Sequence, residues 1–279
     1  MSHFWSKYIQ TQLKKLPLKR QAGEYFRITV ALTVLVLLTV VFSIINPDAV
    51  YPTVALNQAY YPSDLSLLFF GIPFLLITIW KLHSGKFVSI ILWPSALFFI
   101  LYSYALYLFG MPYGFTFWIY LAIVGLSLYT LIMVLLELDY EKSRANFPEK
   151  APTKLASIVL VALGALIFFR VIGLVSTAIL DDEMVSQVDM ALWITDFVIA
   201  APALLIVGIQ LWRKKSFAFI TAPGMLLQYI VLSLGLMPVF IYQAEGNLAS
   251  IDMAGLIVIV FMITICVIPF IQLMKSLKK

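Results

Sequence analysis

Eight apolar runs, near residues 27–46, 64–80, 87–109, 115–136, 155–179, 194–212, 217–241 and 254–274, take up most of this 279-residue chain. Crossing the hydrocarbon core of a bilayer takes about 20 apolar residues in a helix. Helices are favoured there because they satisfy their own backbone amides where no water can. Composition agrees: only 12% of the residues are charged, against about a quarter in a soluble domain, and mean hydropathy is +1.00. The expected fold is an all-α integral membrane protein with eight transmembrane helices and no separate soluble domain. The first apolar run follows a long basic stretch and can span by itself, so it reads as a span and not as a cleaved leader.

Charge gives the expected direction. Lysine and arginine gather in "KKLPLKR", at Lys81 and Lys86, in "YEKSRANFPEKAPTK", in "RKK" at Arg213 to Lys215 and in the terminal "KSLKK". The intervening segments 47–63, 110–114, 180–193 and 242–253 contain neither, and carry Asp48, Asp181, Asp182, Glu183, Asp189, Glu245 and Asp252 instead. By the positive-inside rule both termini are expected in the cytoplasm. The net charge of +5 then reflects topology and not nucleic-acid binding. Residues 1–26 read as a cytoplasmic interfacial segment. Phe4, Trp5, Tyr8, Ile9, Leu13 and Leu16 share a helical face there, with Lys7, Lys14 and Lys15 among the polar positions to meet anionic lipid.

The chain also resembles itself. Shifted by 129 positions, "PFLLITIWKLHSGKFVSIILWPSALFFI" from Pro73 lies over "PALLIVGIQLWRKKSFAFITAPGMLLQY" from Pro202 without a gap. Pro73 meets Pro202, Lys86 meets Lys215 and Pro94 meets Pro223. The expected organisation is a first four-helix repeat over 27–138, a cytoplasmic linker over 139–154 and a second repeat over 155–279. An even number of spans per half makes the repeats parallel, as in some transporters.

Ionisable groups inside spans are costly and need a partner or a purpose. Arg170, in "LIFFRVIGLV", lies ten residues before Leu180, roughly 15 Å below the outer boundary at the helical rise. Asp64 and Asp196 open the second and sixth runs, where a carboxylate can cap a helix or turn inward towards Arg170. Tyr102 lies at a depth like that of Arg170, with Tyr104 above it, while Tyr107 and Tyr113 read as interfacial belt residues. Gln228 sits near mid-membrane in the seventh run. Arg170, Asp64, Asp196, Tyr102, Tyr104 and Gln228 are the candidate lining of an outward-facing polar pocket; the alternative is an internally satisfied network holding the halves together. Pro73, Pro94, Pro202, Pro223, Pro238 and Pro269 are expected to kink their helices.

Several chemistries lack their residues. The spans hold no lysine or histidine for a Schiff base or haem, and there is no H-E-x-x-H, no phosphate loop and no G-x-S-x-G elbow. The lone Cys266 excludes a disulfide framework. No catalytic residues, metal or cofactor are expected. Three functions remain: a small permease or ligand-binding protein taking a small anion at Arg170; a non-catalytic scaffold subunit docking a membrane protein partner; and an enzyme acting on lipid head groups.

The strings "SDLSLLFFGIPFLL", "LWPSALFFILYSYALYLFG", "YLAIVGLSLYTLI" and "ITDFVIAAPALLIVGIQLWRKKSFAFITAP" resemble an uncharacterised family of prokaryotic multi-pass membrane proteins with about eight helices and no assigned function. The resemblance covers most of the chain. It implies the same architecture, a plasma (inner) membrane location, and attention to Asp64, Tyr102, Tyr104, Asp196 and Pro202, which stand in those strings. It implies no reaction.

Overall fold

The computed structural model describes residues 11–19, 22–243 and 253–278. The described residues contain eight helices long and apolar enough to cross a membrane: α1 (Gly23–Ile45), α2 (Val54–His83), α3 (Ser89–Gly110), α4 (Phe115–Glu137), α5 (Thr153–Leu180), α6 (Gln187–Trp212), α7 (Ser216–Gln243) and α8 (Met253–Lys275). Short helices at Pro47–Val50 and Tyr140–Arg144 fill two of the connections. The fold is therefore all-helical and multi-pass.

Two helices start earlier than their apolar runs. Thr53 caps α2 by accepting a bond from the Leu56 amide at 3.3 Å, and Ser186 caps α6 by accepting from Asp189 at 3.1 Å. The stretches 54–63 and 187–193, expected as loop because they are polar, are thus helical. Asp64 and Asp196 lie well inside α2 and α6 and cap neither.

Each of these two helices widens into a π turn, Leu67–Gly71 in α2 and Asp196–Ala200 in α6, with Pro73 and Pro202 just beyond. Proline lacks an N–H and its ring collides with the carbonyl four residues back, here that of Phe69 or Val198. A π turn at that carbonyl absorbs both defects without breaking the helix.

Within α1–α4 each helix packs on the next and α4 closes back on α1; α5–α8 repeat this arrangement. Each set encloses its own apolar core. The sets meet through α3 and α7. Helix α3 packs on α6, α7 packs on α2, and the two cross where the Ser95 hydroxyl donates to the Gly224 carbonyl at 2.6 Å. Glycine at 224 permits this approach, since a Cβ there would lie 3.3 Å from that of Ser95. Helix α3 is the most buried of the eight, and α8 and α5 are the least.

At the end carrying most of the lysines and arginines, the termini and the connection after α4 are tied together. Leu13 and Leu16 are buried, and the Lys19 amide donates to the Glu137 carbonyl at 2.7 Å. The Lys278 amide donates to the Asn146 carbonyl at 2.9 Å, and the Arg144 guanidinium lies 3.9 Å over the Phe219 ring. The expected apolar face at Phe4, Trp5, Tyr8 and Ile9 falls outside the described residues.

Apolar burial does little to hold helices together in lipid, so close packing of small residues carries more of the load. The α5–α6 pair depends on it. A Cβ at Gly208 would sit 2.8 Å from Val161 Cγ2 and 2.9 Å from the Val161 nitrogen; one at Gly164 would meet Leu205 at 2.9 Å. Gly173, also on α5, has open space. We predict that Gly208→Ala lowers unfolding stability by about 1–3 kcal/mol, the usual cost of overpacking. Gly173→Ala should be neutral, or stabilising by up to ~1 kcal/mol through helix propensity. Thermal unfolding of the two variants in one detergent makes the comparison, and equal behaviour would contradict the packing.

Candidate functional site

The carboxylates expected in one pocket occupy two clusters, on different sides of α3. Both are built from tyrosine hydroxyls, because an all-apolar bundle offers a carboxylate few other donors.

The first cluster joins the two helix sets. Asp196, the first residue of the α6 π turn, accepts a bond from the Tyr102 hydroxyl of α3 at 2.8 Å and pairs with Arg170 Nη1 of α5 at 3.4 Å. Phe168 and Phe197 stack at 4.8 Å and pack α5 to α6. Tyr229 of α7 is close enough to interact with both Tyr102 and Asp196. The two charges differ in exposure: the Asp196 side chain is 8% exposed and that of Arg170 is 48%. The guanidinium has five N–H donors, and this ion pair engages one of them, at the long end of the range. Its own face of α5 continues towards Leu180 through Gly173 and Thr177, three and seven residues on, both exposed.

The second cluster surrounds Asp64, only 2% exposed. Tyr51, from the segment before α2, donates to Asp64 Oδ2, and Tyr107 of α3 donates to Oδ1 at 2.9 Å. Tyr60 and Tyr107 pack at 4.8 Å, Tyr104 stacks on Tyr107 at 5.4 Å, and Tyr120 of α4 closes the group at 5.3 Å from Tyr107. Among the described residues no cation pairs with Asp64. Tyr51 lies outside the spanning helices. Burial first, and the Asp64 carboxylate second, push its phenol well above the usual tyrosine range, so it stays a neutral hydroxyl.

Of the six expected site residues, Arg170, Asp196 and Tyr102 come together, and Asp64 and Tyr104 share the other cluster. Gln228 is buried on α7, and its Oε1 has no hydrogen-bond partner among the described residues. Tyr107, expected at the interface, is buried because α2 continues past it and brings Asp64 to its hydroxyl; Tyr113 is 90% exposed, as a belt residue would be. Sequence reading missed Tyr51, Tyr60, Tyr120 and Tyr229. The placement of Tyr60 one helical turn before Asp64 was a usable signal; the other three depend on which helices are neighbours.

Two cavities lie near these clusters. A polar chamber of about 720 Å³ sits over Tyr51, walled by Asp48, Thr53, Asn57, Gln58 and Tyr242. An apolar groove of about 820 Å³ runs between α5 and α6 along Val171, Val175, Ile179, Trp193 and Phe197. At about 100° per residue, those α5 positions lie on the flank away from Arg170, and Arg170 lines neither cavity.

The chain matches no protein-family model, no curated protein and no solved structure.

The Tyr102–Asp196 bond predicts a stability effect. Tyr102→Phe removes the hydroxyl donor to a buried charge, which costs about 1.5–3 kcal/mol for a bond of that kind, and should lower the unfolding midpoint in detergent. Tyr113→Phe, at an exposed tyrosine, should leave it unchanged; matching midpoints for both variants would contradict the assignment.

Proposed function

We propose that this chain is a small permease or ligand-binding membrane protein whose Arg170 takes the anionic group of its ligand. The observation that carries the reading is the imbalance within the Arg170–Asp196 pair. Asp196 is buried and satisfied by Tyr102, whereas half of the arginine side chain is exposed and holds one long bond. A guanidinium at this depth is costly unless a polar partner completes it, and a carboxylate or phosphate matches its planar donor fork. The Gly173–Thr177 face offers the ligand a way in that a continuous row of large side chains would close.

The orientation we infer, both termini cytoplasmic in a plasma membrane, rests on lysine and arginine being confined to one set of connections. Location in that membrane follows the resemblance to prokaryotic multi-pass proteins. On this orientation the Arg170 face opens outward. We also propose that the two helix sets are parallel repeats. The π turns begin at 67 and 196, the helical segments after them cover 72–83 and 201–212, and left-handed residues stand at Gly85 and Lys214. Each pair is 129 residues apart, the offset at which the sequences align.

One observation favours a second reading, a scaffold subunit docking a membrane partner: α5 and α8 leave most of their apolar surface uncovered. Water access separates the readings. In a Cys266→Ala background, we expect single cysteines at Gly173 and Thr177 to react rapidly with a charged, impermeant thiol reagent added outside. Cysteines at Ile172 and Val175, on the other flank, should react slowly. A screen of small anions should then find at least one that raises the melting temperature of the wild type and not of Arg170→Gln. No labelling at Gly173, or a reactive flank opposite Arg170, would remove the permease reading and turn attention to partner proteins.

A further inference from the structure

The Asp64 cluster is not used by the function proposed at Arg170, and it has a proton deficit of its own. The Tyr107 hydroxyl carries one hydrogen but has two acceptors in reach, Asp64 Oδ1 at 2.9 Å and the Tyr60 carbonyl at 3.2 Å. With Asp64 ionised, only one of these contacts can be a full hydrogen bond. A proton on Oδ1 resolves the conflict: Asp64 then donates to the Tyr107 oxygen, and Tyr107 donates to the Tyr60 carbonyl. The same proton removes a buried charge that no cation balances among the described residues.

We propose that Asp64 is a reversible proton-binding site, loaded from the polar chamber through Tyr51. Tyr51 joins the two spaces, since it lines the chamber and its hydroxyl bonds Asp64 Oδ2. A hydronium ion in the chamber gives a proton to the Tyr51 oxygen and is left as water, as Tyr51 passes its own hydroxyl proton to Asp64 Oδ2. A half-turn of the carboxyl about Cβ–Cγ then presents that proton to the Tyr107 oxygen. One proton moves, and Tyr51 ends as it began.

The surroundings favour a proton over a metal cation. Both carboxylate oxygens already accept from phenols, and the Tyr60 carbonyl is occupied. A hard cation asks for several free oxygen ligands in a space that fits it, and rings are packed closely around Asp64. The titratable groups facing it are all phenols: Tyr51 from the connection, Tyr60 from α2, Tyr104 and Tyr107 from α3, and Tyr120 from α4. Helix α1 turns Ser43 towards Tyr51 and Tyr120. Asp48 is on the chamber wall, and α7 carries no charged residue. Glu24, Arg27, Lys81, His83 and Glu137 sit at the opposite ends of their helices.

Infrared difference spectra of the full chain in lipid nanodiscs, taken between acidic and alkaline pH, test this. The wild type should show a protonated-carboxyl stretch that disappears reversibly as pH rises. Asp64→Asn should lose the band, and Asp196→Asn should keep it. Tyr107→Phe, which leaves the carboxyl in place, should shift its frequency, so the assignment survives even if Asp64→Asn fails to fold. Tyr51→Phe should keep the band and slow proton uptake after a pH jump by about 100-fold, the low end of what a positioned proton-transfer group contributes. No titrating carboxyl band, a band unmoved by Tyr107→Phe, or a spectral response to sodium in its place would overturn the site. Wild-type uptake in Tyr51→Phe would overturn the route.

Discussion

A carboxylate inside an apolar helix bundle must find its hydrogen-bond donors on neighbouring helices. Here α3 supplies them to both. Tyr102 reaches Asp196 on α6, and Tyr107 reaches Asp64 on α2. Five positions apart on one helix, the two tyrosines point well over 90° apart at about 100° per residue. That requires α2 and α6 to lie on different sides of α3, and it makes α3 the most buried helix of the fold. The crossing with α7 at Ser95 and Gly224 completes the enclosure.

The two clusters have different chemistry despite their similar places. Asp64 is caged by phenols with no cation described beside it, and the position 129 residues after it is Trp193. Asp196 has an arginine, and the position 129 residues before Arg170 is Val41. On the two proposals, one side of α3 takes a proton and the other an anion. Both sites draw a hydroxyl from the same helix, α3.

Much of the architecture was legible because apolar length is a property of single segments. All eight helices long and apolar enough to span come from such patterns. Helix starts were not legible for α2 and α6. "VALNQAYYPS" and "QVDMALW" are too polar to read as span, yet they are helical because Thr53 and Ser186 cap them and their polar side chains face one another, the chamber or solvent. That error made Asp64 and Asp196 look like caps. It also left Tyr107 looking like a belt residue, since nothing local shows that α2 extends alongside it. Tyr51 was invisible for a related reason: its role depends on a connection folding back over Asp64. The pairing of Tyr102 with Asp196 spans 94 residues, and no periodicity within one helix reports which helix lies next to it.

The claim on which the rest depends is that α3 and α7 cross at Ser95 and Gly224. A Cβ at Gly224 would lie 3.3 Å from that of Ser95, close to the ~3.5–4.5 Å that a disulfide spans. Cysteines at both positions, in a Cys266→Ala chain with a protease site placed between Pro148 and Lys150, make the contact measurable. The structure predicts that mild oxidation links the halves, so that the cleaved chain migrates as one species until reductant is added. Two separate fragments after oxidation, from a double-cysteine chain whose unfolding midpoint matches that of Cys266→Ala alone, would contradict the crossing, and with it the placement of α3 between the two carboxylates.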